Sequence, residues 1–156
     1  MNIRPANESE SQLLSELALR SKGLWGYSRE FLETCRAELT ITEEYIRASE
    51  VFVLETSGTV IGFYSIFGQV QSASLDFLYV YPEYVGKGYG KALWRHAVHH
   101  AKLLGFNHFS IDGDPHAQAF YLRMGAERVG EVPSGSIPGR MLPQFRYELD
   151  SATLLS

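Results

Sequence analysis

Val85, Gly86, Lys87, Gly88, Tyr89, Gly90 and Lys91 follow directly on an apolar, aromatic-rich run that ends at Pro82 and Glu83. Alternating glycines let a backbone turn tightly with several N–H groups facing one way. Where a helix then starts at once, its first N–H groups lack intrahelical partners and its dipole makes that end positive. Such a corner suits phosphate oxygens, and Lys87 and Lys91 add mobile positive charge. Two well-known phosphate loops do not fit. A Walker A loop needs a glycine where Val85 stands and Ser or Thr where Ala92 stands. The dinucleotide fingerprint puts Lys91 or Leu93 in its third glycine place, depending on the starting glycine. Neither an ATPase nor a Rossmann enzyme is supported.

Other residues invite chemistry less strongly. His96, His99 and His100 share one helix at i, i+3, i+4, but no His-Glu-x-x-His pattern accompanies them, and no metal is expected. Cys35 sits on an apolar helical face and reads as a buried structural thiol. Trp25 and Tyr27 stand beside Gly23 and Gly26, where helix packing explains aromatics poorly. They are candidates for a substrate pocket or for a plug over the core. The segment from Ser134 to Arg140 reads either as a lid whose Arg140 meets a substrate carboxylate or as a passive connection.

The elements that must position these residues follow from periodicity. A short strand at 2–4 precedes Asn7 and Glu10, a capping pair, and then Leu13, Leu14, Leu17 and Ala18 recur at helical spacing up to Gly23. Ser28 caps a second helix with Phe31, Leu32 and Cys35 inward, and Thr40 with Glu43 starts a third. Strands at 51–55, 60–67 and 73–81 form an antiparallel meander. A long helix at 91–104 stops at Gly105, and a strand at 108–111 leads to Asp114 and Pro115, an N-cap and first-turn pair. That helix runs to Met124, and strands at 126–131 and 144–149 close the chain around a Gly/Pro loop at 133–143. The fold class is α+β, a mixed α/β arrangement in one domain over 1–156.

The 156 residues carry 45% apolar and 21% charged residues, an ordinary globular balance that excludes disorder and fibrous repeats. The net charge of −4 argues against bulk binding to nucleic acid or to a membrane. There is no apolar leader and a single cysteine, so a cytoplasmic location is expected.

The run from Leu78 to Gly90 resembles the pyrophosphate loop of the GNAT superfamily of N-acetyltransferases, whose pattern is Gln/Arg-x-x-Gly-x-Gly/Ala. The run from Asp114 to Ala126 is similar to that family's Asn-x-x-Ala-x-x-Phe-Tyr-x-x-x-Gly-Phe element, and the order of elements matches along nearly the whole chain. Val85 stands where the family has Gln or Arg, which leaves the loop's backbone amides as its grip.

The resemblance implies a mostly antiparallel twisted sheet of six to seven strands flanked by helices, splayed between two middle strands. It implies acetyl-CoA as cosubstrate and no metal. Backbone groups of Leu78, Tyr79 and Val80 would hold the pantetheine arm, with His116 beside it, and Val85, Gly86, Lys87, Gly88, Tyr89, Gly90 and Lys91 would hold the diphosphate. Tyr121 would give the leaving sulfur its proton, although Tyr121 could equally pack beside Phe120. Asp76 is a candidate base, placed by strand alternation on the same face as Leu78 and Val80, or else a solvent-facing or substrate-binding carboxylate. Trp25, Tyr27 and Arg140 are the candidate acceptor contacts. The implied activity is acetyl transfer to a primary amine of a small molecule or peptide. The alternatives are a catalytically lapsed acyl-CoA-binding module and a protein N-terminal acetyltransferase. A homodimer through the edge of the last strand is compatible with the sequence.

Overall fold

The computed structural model describes residues 1–135 and 137–149; Ser136, in the expected lid, and residues 150–156, in the expected domain span, lie outside the described residues. The strands are β1 (Asn2–Pro5), β2 (Glu50–Thr56), β3 (Thr59–Phe67), β4 (Ala73–Val80), β5 (His108–Asp112), β6 (Glu127–Pro133) and β7 (Met141–Glu148). The helices are α1 (Ser11–Gly23), α2 (Arg29–Cys35), α3 (Glu43–Ala48), α4 (Tyr89–Leu103) and α5 (Gln118–Arg123). The seven strands form one sheet in the order β1-β2-β3-β4-β5-β7-β6, with β4–β5 the parallel pair. Mixed α/β architecture with a largely antiparallel sheet is therefore what the chain adopts.

Local signals explain most boundaries. Asn7 and Glu10 form the expected capping box, Ser28 accepts the Phe31 N–H, and Asp114 accepts the His116 N–H. The third helix is capped by Thr42 rather than Thr40; Thr42 accepts the Tyr45 N–H. Strand β7 starts at Met141, earlier than the expected 144, because Met141 pairs with Pro133 and lengthens the hairpin at the expense of the loop. The last strand is also not an edge: β7 lies between β5 and β6, and the edges are β1 and β6. The expected dimer edge is thus covered.

Two apolar layers sandwich the sheet. On one face Leu93, Trp94, Ala97 and Ala101 of α4 pack on Tyr64, Leu75, Val80, Phe109 and Phe145. On the other, Leu14, Leu17 and Ala18 of α1 and Cys35 of α2 pack on Val51, Val53 and Phe63. The edge-on contacts of Trp94 with Phe109 and Tyr147, at 5.5 and 5.0 Å between ring centroids, tie α4 to β5 and β7.

The feature that positions the site is a gap in this sheet. β5 pairs with β7 at five positions but with β4 only through Ala73–Phe109 and Ser74–Ser110. Immediately beyond, the β3–β4 register skips Asp76: Ile66 pairs with Leu75 and Ser65 with Phe77. A bulge bends its strand and increases its twist, so β4 turns away where β5 stays with β7. Among the described residues no helix is long and apolar enough to cross a membrane.

Candidate active site

The gap opens into a cavity of about 900 Å³ that runs from the Gly loop between β4 and β5 to the α1–α2 connection. Its β4 wall carries unpaired backbone. The Tyr81 N–H bonds to the Ile61 carbonyl, which makes that pair a hydrogen-bonded one. Alternation along an antiparallel ladder then directs Tyr79 and Phe77 toward β3 and leaves the N–H and C=O of Leu78 and Val80 facing the gap. Orphaned main-chain groups in a wall of this kind suit an extended ligand that pairs as an added strand.

At one end of the cavity Gly86 and Gly88 have φ of +84° and +87°, backbone that L side chains rarely adopt. Gly88 is the N-cap of α4, and the first intrahelical bond runs from the Ala92 N–H to the Gly88 carbonyl. The N–H groups of Tyr89, Gly90 and Lys91 are left free of helix partners. No atom lies within 4 Å of where a Cβ would stand on Gly86 or Gly88, so the loop is open on that side. The residues present therefore fit a diphosphate joined to an extended arm, the shape of coenzyme A. The side chains of Lys87 and Tyr89 do not line the cavity: Lys87 Nζ sits 5.7 Å from the centre of the Tyr84 ring, and Tyr89 packs edge-on against the same ring.

Tyr121 lines the opposite wall. Gly113 makes room for it, since a Cβ there would stand 3.2 Å from both the Tyr121 and Phe145 rings. Burial pushes the Tyr121 hydroxyl well above its ordinary pKa, with nearby Asp114 adding to the effect. It stays protonated at any working pH, as an acid must. Tyr79, also lining the cavity, is raised by burial too, with Tyr121 next among the causes.

Asp76 lines the cavity, but not on the expected face. Its carboxylate accepts hydrogen bonds from Tyr45 and Ser74, on the α3 side of the sheet, while Leu78 and Val80 pack toward α4. The bulge at Asp76 breaks the alternation on which the expectation rested. Trp25 lines the cavity as well, stacked on His116 at 5.4 Å with rings 10° from parallel.

Tyr27 and Arg140 are held elsewhere, around Asp114. The Asp114 carboxylate is 9% exposed and takes hydrogen bonds from the Tyr27 hydroxyl (2.9 Å), the His116 N–H (2.8 Å) and Lys22 Nζ (3.2 Å). Arg140 lies 3.5 Å from Asp114 and donates to Tyr27 at 2.7 Å. Arg140 thus meets a carboxylate of this chain, where a substrate carboxylate was one expectation. Burial works to raise the Asp114 pKa, but the His116 N–H, Lys22, Tyr27 and the His116 ring outweigh it, and the carboxyl stays below its ordinary value. Tyr27 is pushed up to about 12, by burial first and by Asp114 second. Lys22 had no signal in the sequence, because a basic residue in a helix's last turn is ordinary. Asp114 read only as a cap.

Of the three helix histidines, His96 and His100 stack with ring centroids 6.3 Å apart but take different partners. His96 bonds the Tyr64 hydroxyl at 2.8 Å, His100 pairs with Glu50 of β2 at 2.7 Å, and His99 is exposed.

The acetyltransferase (GNAT) family matches residues 17–126, more than half of the chain, and the chain belongs to that family. A search of curated proteins finds no match. Among solved structures the chain is similar to a GCN5-related N-acetyltransferase from Rhodopseudomonas palustris, at 22% identity over 95% of each chain and a TM-score of 0.78. It is similar to a paia N-acetyltransferase from Thermoplasma acidophilum in complex with coenzyme A, at 23% identity, TM-score 0.78, and 94% of this chain on 98% of that one. A third is yncA from Salmonella typhimurium with its cofactor acetyl-CoA, at 18% identity, TM-score 0.66, and 97% of this chain on 95% of that one.

Proposed function

We propose that this protein transfers the acetyl group of acetyl-CoA to a primary amine of a small molecule or peptide. The observation that carries the reading is that one cavity joins three features: the α4 amide corner, the unpaired edge of Leu78 and Val80, and the protonated Tyr121. Solved relatives of the same fold hold coenzyme A or acetyl-CoA, which supports that choice of ligand.

Bound acetyl-CoA supplies an acetyl thioester. The amides of residues 86–91 bind its diphosphate, with Lys91 beside them and Val85 at the loop's start. The main chain of Leu78 to Val80 holds the arm in extended form, and His116 flanks it. An N–H near Val80 polarises the thioester carbonyl. Tyr121 donates its hydroxyl proton to the leaving sulfur. Asp76 faces the acceptor, where a carboxylate attracts an arriving ammonium or takes its proton. Trp25 walls the acceptor side, and Tyr27 and Arg140 brace that wall through Asp114.

The test pairs calorimetric binding of CoA with thiol release from acetyl-CoA. The acceptors are spermidine, tyramine, kanamycin and an alanyl peptide. CoA binding with release stimulated by at least one amine is expected. Binding without turnover on any of them would instead describe an acyl-CoA-binding module, and a response to the peptide alone would describe an N-terminal acetyltransferase.

A further inference from the structure

We propose that His116 is the proton acceptor of the transfer, a catalytic base at the acceptor side of the cavity, with Asp114 as the positioning residue that sets its tautomer. The inference rests on the transferase reading above.

The geometry assigns the proton. His116 Nδ1 lies 3.0 Å from Asp114 Oδ1 and 3.0 Å from the Tyr27 hydroxyl. The Tyr27 hydroxyl already donates to Asp114 and accepts from Arg140. The Asp114 carboxylate is buried and ionised, so it can only accept. The Nδ1 atom of the neutral ring must then carry the hydrogen, which leaves the lone pair on Nε2. Nε2 has no hydrogen-bond partner among the described residues, and the ring is half-exposed and lines the cavity. The Trp25 indole stacked on one face fixes the ring plane. A carboxylate that orients an imidazole from behind, so that its far nitrogen meets the substrate, is the logic of a base and its orienting group.

Every charged group packed around the ring bears on this role. Asp114 stabilises the imidazolium that forms, and Lys22 of α1 and Arg140 of the β6–β7 connection are themselves paired with Asp114. Asp76 already accepts two hydrogen bonds on the α3 side, an arrangement suited to holding the ammonium. The proton count closes. An arriving ammonium gives one proton to His116 Nε2, which passes it to solvent. The freed lone pair forms the new C–N bond as the thioester C–S bond breaks. Tyr121 protonates the leaving sulfur and is restored by the amine's second proton.

The test has two readouts. In histidine-¹⁵N-labelled protein, the resonances that vanish in His116→Gln should show the Nδ1–H tautomer at neutral pH. An Nε2–H tautomer overturns the proposal whatever the kinetics. With acetyl-CoA and the responding amine of the panel, His116→Gln should lower kcat about a hundredfold and remove the acid limb of the kcat/KM profile. CoA affinity should stay within about threefold, and imidazole added to His116→Ala should restore part of the rate. An unchanged acid limb, or a loss seen only as weaker CoA binding, overturns the proposal while the transferase reading stands. A wild-type protein that binds CoA and acetylates no amine overturns both.

Discussion

Tyr121 carries the chemistry of this account at the level of single residues. Its ring is wedged against Gly113, Phe145 and Trp94, so removal of the hydroxyl should change little but the proton it supplies. Tyr121→Phe should lower kcat by roughly one to three orders of magnitude and leave CoA affinity nearly unchanged, measured by thiol release and calorimetry. An unaltered kcat would remove Tyr121 from the mechanism. His96 belongs to stability instead. Burial, and then His100 and His99, hold its pKa below the ordinary 6.5. A base whose folded-state pKa is depressed contributes stability that is present above the unfolded value and is lost as pH falls through it. The melting temperature should therefore drop between about pH 7 and pH 5, and His96→Gln, which can still bond Tyr64, should lessen the drop. An identical slope in the two proteins would contradict this. Residue roles were partly readable in the sequence. The Gly loop and Tyr121 stand in local patterns, whereas Lys22 reaches Asp114 across 92 positions and no local pattern encodes that.

The decisive element is β4 together with the turn into α4. Strand alternation alone put Asp76 beside Leu78 and Val80, and a one-residue bulge moved it to the other face. Bulges leave little trace in composition, so this was not readable. The turn was readable, because only glycine sits comfortably at the positive φ of residues 86 and 88. Gly88→Val should lose about 1–2 kcal/mol of stability to left-handed strain. It should also weaken CoA binding at least a hundredfold, since a branched side chain would fill the space the amides look into. Calorimetry on the folded variant checks this, and retained micromolar affinity would count against the loop as the diphosphate site.

At the scale of the molecule, two ladder pairs join the β1–β4 half of the sheet to the β5–β7 half, and α4 straddles the seam. A ligand that fills the gap contacts both halves and binds only the folded chain. CoA at a hundred times its Kd should thus add about 2.7 kcal/mol, which is roughly 5–10 °C in melting temperature for a chain of this size. No shift at saturation would mean that the gap is not where it binds. The element order and sheet class were readable from periodicity and turn residues. The strand order was not: whether the last strand is internal or an edge depends on pairing across the sheet, and β7 proved internal. The central claim is that main-chain groups of the α4 corner and of the β4 edge together grip the ligand. A crystal structure with CoA tests it most directly. The account predicts diphosphate oxygens within about 3.2 Å of N–H groups between Gly86 and Lys91, and the pantetheine arm paired with Leu78 and Val80. A diphosphate bound elsewhere, with those amides facing solvent, would contradict it.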